Sequence, residues 1–186
     1  MLLVFLGVSG VGKSTLMRSL REEGNKYFNL PIYTTRQVRP GETEKRNVSE
    51  AELISMRDRG TVGPINEVDG HLYAPDFSEL EEQANPDRFS MLDWPYAELS
   101  NLLGNLSVQT RIYYLAPPTK SELEKRLIER DQSNARLLLS DQELKELPSI
   151  KNDPRIDRFW VSETGKIKDL VKKVQTDLAS FRGDKK

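Results

Sequence analysis

The string Gly7-Val-Ser-Gly-Val-Gly12-Lys13-Ser14 constrains this chain more than any other feature. It fits G-x-x-x-x-G-K-[ST] and follows directly on the apolar run Leu2–Leu6. It also opens a stretch in which Leu16, Met17 and Leu20 share one helical face. A continuous apolar run of this length reads as a buried parallel strand. Strand, glycine turn and helix therefore come in the order a phosphate cradle requires. Glycine lets the backbone wrap an anion, successive N–H groups point inward, and the helix N-terminus adds a favourable dipole. Gly7, Ser9, Gly10, Val11, Gly12, Lys13, Ser14 and Thr15 are the expected nucleotide contacts. Lys13 can reach the β and γ phosphates, and the Ser14 hydroxyl can ligate Mg²⁺.

The rest of the chain alternates strands with helices. Strands are expected over residues 27–34, 89–94, 108–115 and 156–161, and helices over 14–23, 50–57, 96–103, 136–147 and 166–181. A further helix follows Thr119, whose capping partner Glu122 stands three residues on. Pro31 moves the strand over 27–34 toward an edge. Ser49-Glu-Ala-Glu52 is a capping box, and Asp69-Gly70 between two short alternating runs is a hairpin turn. This order implies an α/β fold with a mainly parallel, doubly wound sheet.

Two arginine groups supply the remaining charge chemistry. Arg36 and Arg39 follow the second strand beside a Pro-Gly turn and can fork an anion; by itself such a loop can equally be solvated. Arg126 and Arg130 are four apart and share a helix face, with Arg136 beyond them. Taken alone, they can equally pair with Glu122 and Glu129. Beside a phosphate cradle, the two groups suggest phosphoryl transfer, in which the protein positions two phosphates and neutralises the transferring group. When the acceptor is itself a phosphate, no general base is required. At the end of its strand, Asp93 can orient Mg²⁺ water or Lys13. Tyr73 can contact an acceptor phosphate or pack within its hairpin. Trp94 can stack on an acceptor ring, or be buried as aromatics more often are.

Composition narrows the alternatives. The chain has 28 Lys+Arg against 29 Asp+Glu, which argues against a general nucleic-acid or membrane-surface binder. Having no cysteine excludes a disulfide framework and a catalytic thiol, and a single histidine excludes a multi-His metal site. The apolar start lacks a preceding basic segment and is far short of the roughly 20 residues of a membrane span. A cytoplasmic protein is expected, as monomer or homodimer, acting on a small phosphorylated molecule.

The residues quoted so far, with Thr34-Thr-Arg36-Gln-Val-Arg39-Pro-Gly-Glu42, Gly70-His-Leu-Tyr73, Leu115-Ala-Pro-Pro118 and Leu123-Glu-Lys-Arg-Leu127, resemble the guanylate kinase family in the family's own order. The resemblance implies a core (residues 1–35, 76–128 and 148–186), an acceptor-binding insert (36–75) and a lid (129–147). It implies ATP and Mg²⁺ at the glycine cradle. It also implies that Arg36, Arg39, Tyr73 and Asp93 serve the acceptor, while Lys13, Arg126, Arg130 and Arg136 act on the transferring phosphate.

Departures from the family pattern cluster on the acceptor side. The stretch Glu44-Lys-Arg-Asn47 is shorter and lacks the family tyrosine that binds the acceptor phosphate. A glutamate that reads the guanine edge falls near Pro64. The hydroxyl residue before Thr34 becomes Ile32 or Tyr33, a pair of aspartates is reduced to Asp93, and the lid between Arg130 and Arg136 is shorter. Base selectivity rests on buried hydrogen bonds, so guanine discrimination is expected to be impaired. The expected acceptor is a nucleoside monophosphate. The rivals are a ribose 1,5-bisphosphate phosphokinase and a non-catalytic binding module.

Overall fold

The computed structural model describes residues 1–39, 41–78, 80, 88–128 and 134–183, with the side chains of 134–140, 142, 182 and 183 outside the description. The chain begins with β1 (Leu2–Leu6), α1 (Lys13–Glu22), β2 (Tyr27–Asn29), β3 (Ile32–Thr34) and β4 (Lys45–Asn47). Next come α2 (Glu50–Asp58), β5 (Asn66–Val68), β6 (His71–Pro75), β7 (Phe89–Asp93) and, after one 3₁₀ turn, α3 (Leu99–Gly104). The last elements are β8 (Thr110–Ala116), α4 (Lys120–Ile128), α5 (Asn134–Lys151), β9 (Arg158–Val161) and α6 (Ile167–Gly183). Two compact units divide the chain, Met1–Val4 with Lys26–Arg111 and Phe5–Asn25 with Ile112–Lys186, so that β1 contributes to both.

In the first unit, β2 and β7 pair in parallel from Tyr27 opposite Phe89 to Asn29 opposite Met91, with β1 next in order. The strand expected over 27–34 is two strands. Leu30 donates its N–H to Met91 O, Pro31 has none to give, and beyond it the chain leaves this sheet. β3 enters a second sheet of order β4-β3-β6-β5. One side-chain set of this sheet, including Tyr33, Leu72 and Ala74, packs with Leu53 of α2 and with Val62. Side chains alternate along a strand, so Thr34, Lys45, Asn47 and Tyr73 fall on the opposite face by the register Ile32–Lys45, Thr34–Asn47 and Thr34–Tyr73. Both capping-box bonds form at Ser49 and Glu52, and the hairpin turn holds Asp69 at φ 53° and Gly70 at φ 72°.

In the second unit, β8 and β9 pair in parallel from Tyr113 opposite Arg158 to Ala116 opposite Val161. Aromatic rings seal this pairing: Tyr113 stacks on Phe5 and Trp160, and Tyr114 on Phe159, with centroids 5.1–5.5 Å apart. The apolar face read at Leu16, Met17 and Leu20 is buried, and α1 packs on α6, whose Leu170, Val171, Val174 and Leu178 are also buried. Each such leucine contributes about 1.5–3 kcal/mol by leaving water. The helix expected to end at Leu147 runs to Lys151, through Pro148. Proline there costs the helix one N–H bond. The fully buried Ile150 nevertheless anchors the last turn, and Asn152 Nδ2 donates to Pro148 O at 2.9 Å. Among the described residues no helix is long and apolar enough to cross a membrane.

Candidate active site

The turn after β1, within the second unit, has the backbone that the motif demands. Gly7, Gly10 and Gly12 hold φ of 130°, 82° and 108°, in the left-handed half of the map where a side chain is strained. Two of them are also closed to any side chain by packing. A Cβ on Gly7 would stand 2.2 Å from Leu115 O of β8, and one on Gly10 would stand 2.8 Å from Leu127 Cδ2 of α4. Gly12 is the N-cap of α1 and offers no side chain to its first N–H groups, and the first turn carries no acidic residue. The positive end of α1 is therefore not neutralised by an acid of its own first turn, as suits a phosphate site. Lys13 lies back along the loop, with Nζ donating to Gly7 O at 2.5 Å and Val8 O at 3.1 Å. The side chain of Ser14 is exposed beside it.

Arg126 stands against this loop. Its guanidinium donates to Val11 O (3.4 Å), Ser162 O (3.0 Å), Thr164 Oγ1 (2.7 Å) and Glu122 Oε1 (2.6 Å). The pairing with Glu122 that the spacing allowed is thus formed, and the cation is held beside the cradle as well. Hydrogen bonds from Thr164 and Arg126 hold the Glu122 carboxyl below its ordinary value. Arg130 and residues 129–133 of the expected lid lie outside the described residues, and Arg136 belongs to α5 with its side chain outside the description.

A second polar cluster lies in the first unit, centred on Glu42. Arg36 Nη2 donates to both carboxylate oxygens (2.8 and 2.6 Å), the Arg39 N–H to Oε2 (2.9 Å) and Lys45 Nζ to Oε1 (3.0 Å). Arg36 Nε also donates to the Tyr73 hydroxyl at 3.2 Å, and Lys45 sits 5.8 Å from the Tyr73 ring centroid. Burial alone would raise the Glu42 carboxyl, but the bonds from Arg36, the Arg39 N–H and Lys45 outweigh it and hold the group at about 2. Burial alone would likewise lower the Arg36 guanidinium, and Glu42 and Tyr73 reverse this, so its pKa is raised. Arg36 and Tyr73 are brought together as expected, whereas the Arg39 side chain is exposed and only its backbone joins the cluster. Glu42 as hub and Lys45 as second cation were not read from the sequence. Lys45 stands three residues after Glu42 in a stretch whose charges look solvated, so the spacing alone gave no signal for it.

Asp93 is half-buried at the end of β7. Trp94 is buried, with its indole N–H donating to Glu98 O at 3.2 Å, so ring stacking on a ligand is overturned in favour of packing. A separate cavity of about 450 Å³ in the first unit is lined by Pro64, Gly63, Phe77 and Asn101, among others, and by none of Arg36, Glu42, Lys45 or Tyr73.

A glycine cradle joining a buried strand to a helix, within an α/β fold whose central sheet is parallel, defines a P-loop protein of the kinase-fold class. The guanylate kinase family model matches residues 1–153, and the chain belongs to the guanylate kinase family. The guanylate kinase of Oleidesulfovibrio alaskensis is 34% identical over 128 residues, which is 67% of this chain and 62% of the relative. The chain thus covers less than two thirds of that relative's length. Among solved structures, guanylate kinase from Anaplasma phagocytophilum superposes with a TM-score of 0.71 at 18% identity, over 97% of this chain and 84% of that one. A gluconokinase from Sinorhizobium meliloti gives a TM-score of 0.53 at 17% identity, over 98% and 93%. Similarity at such identities concerns the fold alone.

Proposed function

We propose that this chain is a cytoplasmic ATP-dependent phosphotransferase that moves the γ-phosphate of ATP onto a small phosphorylated acceptor, a nucleoside monophosphate being the leading class. The observation that carries the proposal is the cradle: three glycines at positive φ, closed by Leu115 and Leu127, leading into an uncapped helix with Lys13 on the loop. Residues 7–15 hold the triphosphate through backbone N–H groups. Lys13 leaves its carbonyl partners to neutralise charge that grows on the β and γ phosphates, the kind of stabilisation that accelerates transfer most. The cradle fits Mg²⁺ through the exposed Ser14 hydroxyl, and the ion when bound neutralises phosphate charge. Arg126 adds positive potential beside the loop, and Arg130, Arg136 and the lid over residues 129–147 complete the same reading. Arg36, Arg39 and Tyr73 receive the acceptor phosphate in the insert over residues 36–75, and Asp93 is a further substrate-binding residue.

The acceptor side favours weak base selectivity. The Pro64 side chain carries no hydrogen-bonding group, and Ile32 is buried, apolar and unable to bond a base edge. The Tyr33 hydroxyl accepts from Arg46 at 3.1 Å. These observations keep ribose 1,5-bisphosphate as a second acceptor to test. ADP release from Mg-ATP is to be followed with GMP, dGMP, AMP and ribose 1,5-bisphosphate. Turnover with more than one acceptor is the expected result. Turnover confined to GMP and dGMP would overturn the loss of guanine reading, and neither turnover nor ATP binding would favour the binding module.

A further inference from the structure

We propose that Lys45 is an acceptor-binding residue, its ammonium joining the Arg36 guanidinium and the Tyr73 hydroxyl in holding the acceptor's phosphate. This rests on the phosphotransferase reading above. Strand register puts Lys45 of β4 on the same sheet face as Thr34 of β3 and Tyr73 of β6, opposite the face packed on α2. Parallel pairing with β3 fixes it there, since Ile32 N–H donates to Glu44 O at 2.9 Å and Val48 N–H to Thr34 O at 3.0 Å. Its side chain is 23% exposed, against 12% for Arg36, so both cations are partly withdrawn from water.

Charge balance makes this a site for an anion. Among the described residues two cations, Arg36 and Lys45, meet one carboxylate, Glu42, and one positive charge is left over. Partly buried charge is costly unless it is paired. Glu42 accepts four bonds from three residues, and its carboxyl is held ionised, so it cannot release either cation by protonating near neutrality. Lys45 has two ammonium protons beyond the one given to Glu42, and the Tyr73 hydroxyl, which accepts from Arg36, still has its own proton to donate. Arg36 and Lys45 meet at Glu42, Arg36 reaches the Tyr73 hydroxyl, and Lys45 lies 5.8 Å from that ring's centroid, so the donors are neighbours and match the several acceptor oxygens of a phosphate. An ammonium there, in place of a neutral donor, adds a full charge and makes acceptor affinity depend steeply on salt.

Titration calorimetry of the full chain with GMP and with ribose 1,5-bisphosphate, without ATP, tests this alongside steady-state kinetics. Loss of a charge-assisted bond predicts that Lys45→Met raises the Kd for both phosphorylated probes at least about tenfold. It also predicts a flatter salt dependence, a higher KM for the acceptor and an unchanged KM for ATP, with Lys45→Arg restoring most of the affinity. A purely structural Lys45, needed only to brace Glu42, would instead raise both KM values together or lower the melting temperature with no change in salt slope, and either result overturns the proposal. Wild-type turnover with unchanged probe affinity in Lys45→Met overturns it while leaving the phosphotransferase reading intact. A wild-type protein that neither binds the probes nor turns over any acceptor overturns both.

Discussion

Replacing Gly7 by alanine tests the cradle at its tightest point. The backbone there sits at φ 130°, and the new Cβ would lie 2.2 Å from the Leu115 carbonyl oxygen. A non-glycine residue in such a region costs about 1–3 kcal/mol. Overpacking against backbone that cannot swing aside adds about 1–3 kcal/mol. The sum is about 2–6 kcal/mol, against a total stability of about 5–15 kcal/mol for a typical domain. Gly24 provides the control, since its φ is 150° but a Cβ there would meet nothing within 4 Å. Gly24→Ala should therefore show only the conformational cost, about 1–3 kcal/mol. Urea denaturation of the two variants and the wild type gives both numbers, and ATP titration of folded Gly7→Ala should show lost affinity. If Gly7→Ala is no less stable than Gly24→Ala and binds ATP normally, the close approach of Leu115 to the loop does not shape the site.

Other consequences are as direct. Lys13→Ala should abolish transfer, because it removes the ammonium that neutralises charge growing on the β and γ phosphates; retained turnover would refute its role. Glu42 has a folded pKa of about 2, below its ordinary 4.5, so its contribution to stability is present above pH 4.5 and is lost as pH falls toward 2. Acid titration of Glu42→Gln should accordingly show less loss of stability across that window than the wild type, and an identical acid limb would contradict the cluster. Ser49→Ala removes both the cap to the Glu52 N–H and the hydroxyl bonded to its carboxylate, and should cost about 1 kcal/mol in chemical denaturation.

What could be read from the sequence was set by rules of short range. Leu2–Leu6, the glycine string, the Ser49 capping box and the Asp69-Gly70 turn each depend on residues within a few positions, and each forms as read. The misses depend on partners far along the chain. Residues 27–34 look like one strand, yet β2 finds its partner at Phe89 and β3 at Tyr73, so the chain must change sheets at Pro31. β4 is Lys-Arg-Asn, a polar triplet that is a strand only because β3 lies alongside it. α5 passes Pro148 because burial of Ile150 outweighs a local stop signal. The cluster around Glu42 shows the same division. Arg36 and Tyr73 were expected from motif positions, but Lys45 joins them through sheet register, which no spacing along the chain reveals.

Transfer of a phosphoryl group, beyond nucleotide binding alone, is what the cradle and the arginines are proposed to accomplish. ATP labelled at the γ-phosphate, incubated with Mg²⁺ and the acceptor panel, tests it most directly. Label should appear on a phosphorylated acceptor in the wild type, with ADP formed in equal amount, and neither product should form with Lys13→Ala. Label released only as inorganic phosphate, or recovered entirely in ATP with every acceptor, would contradict it.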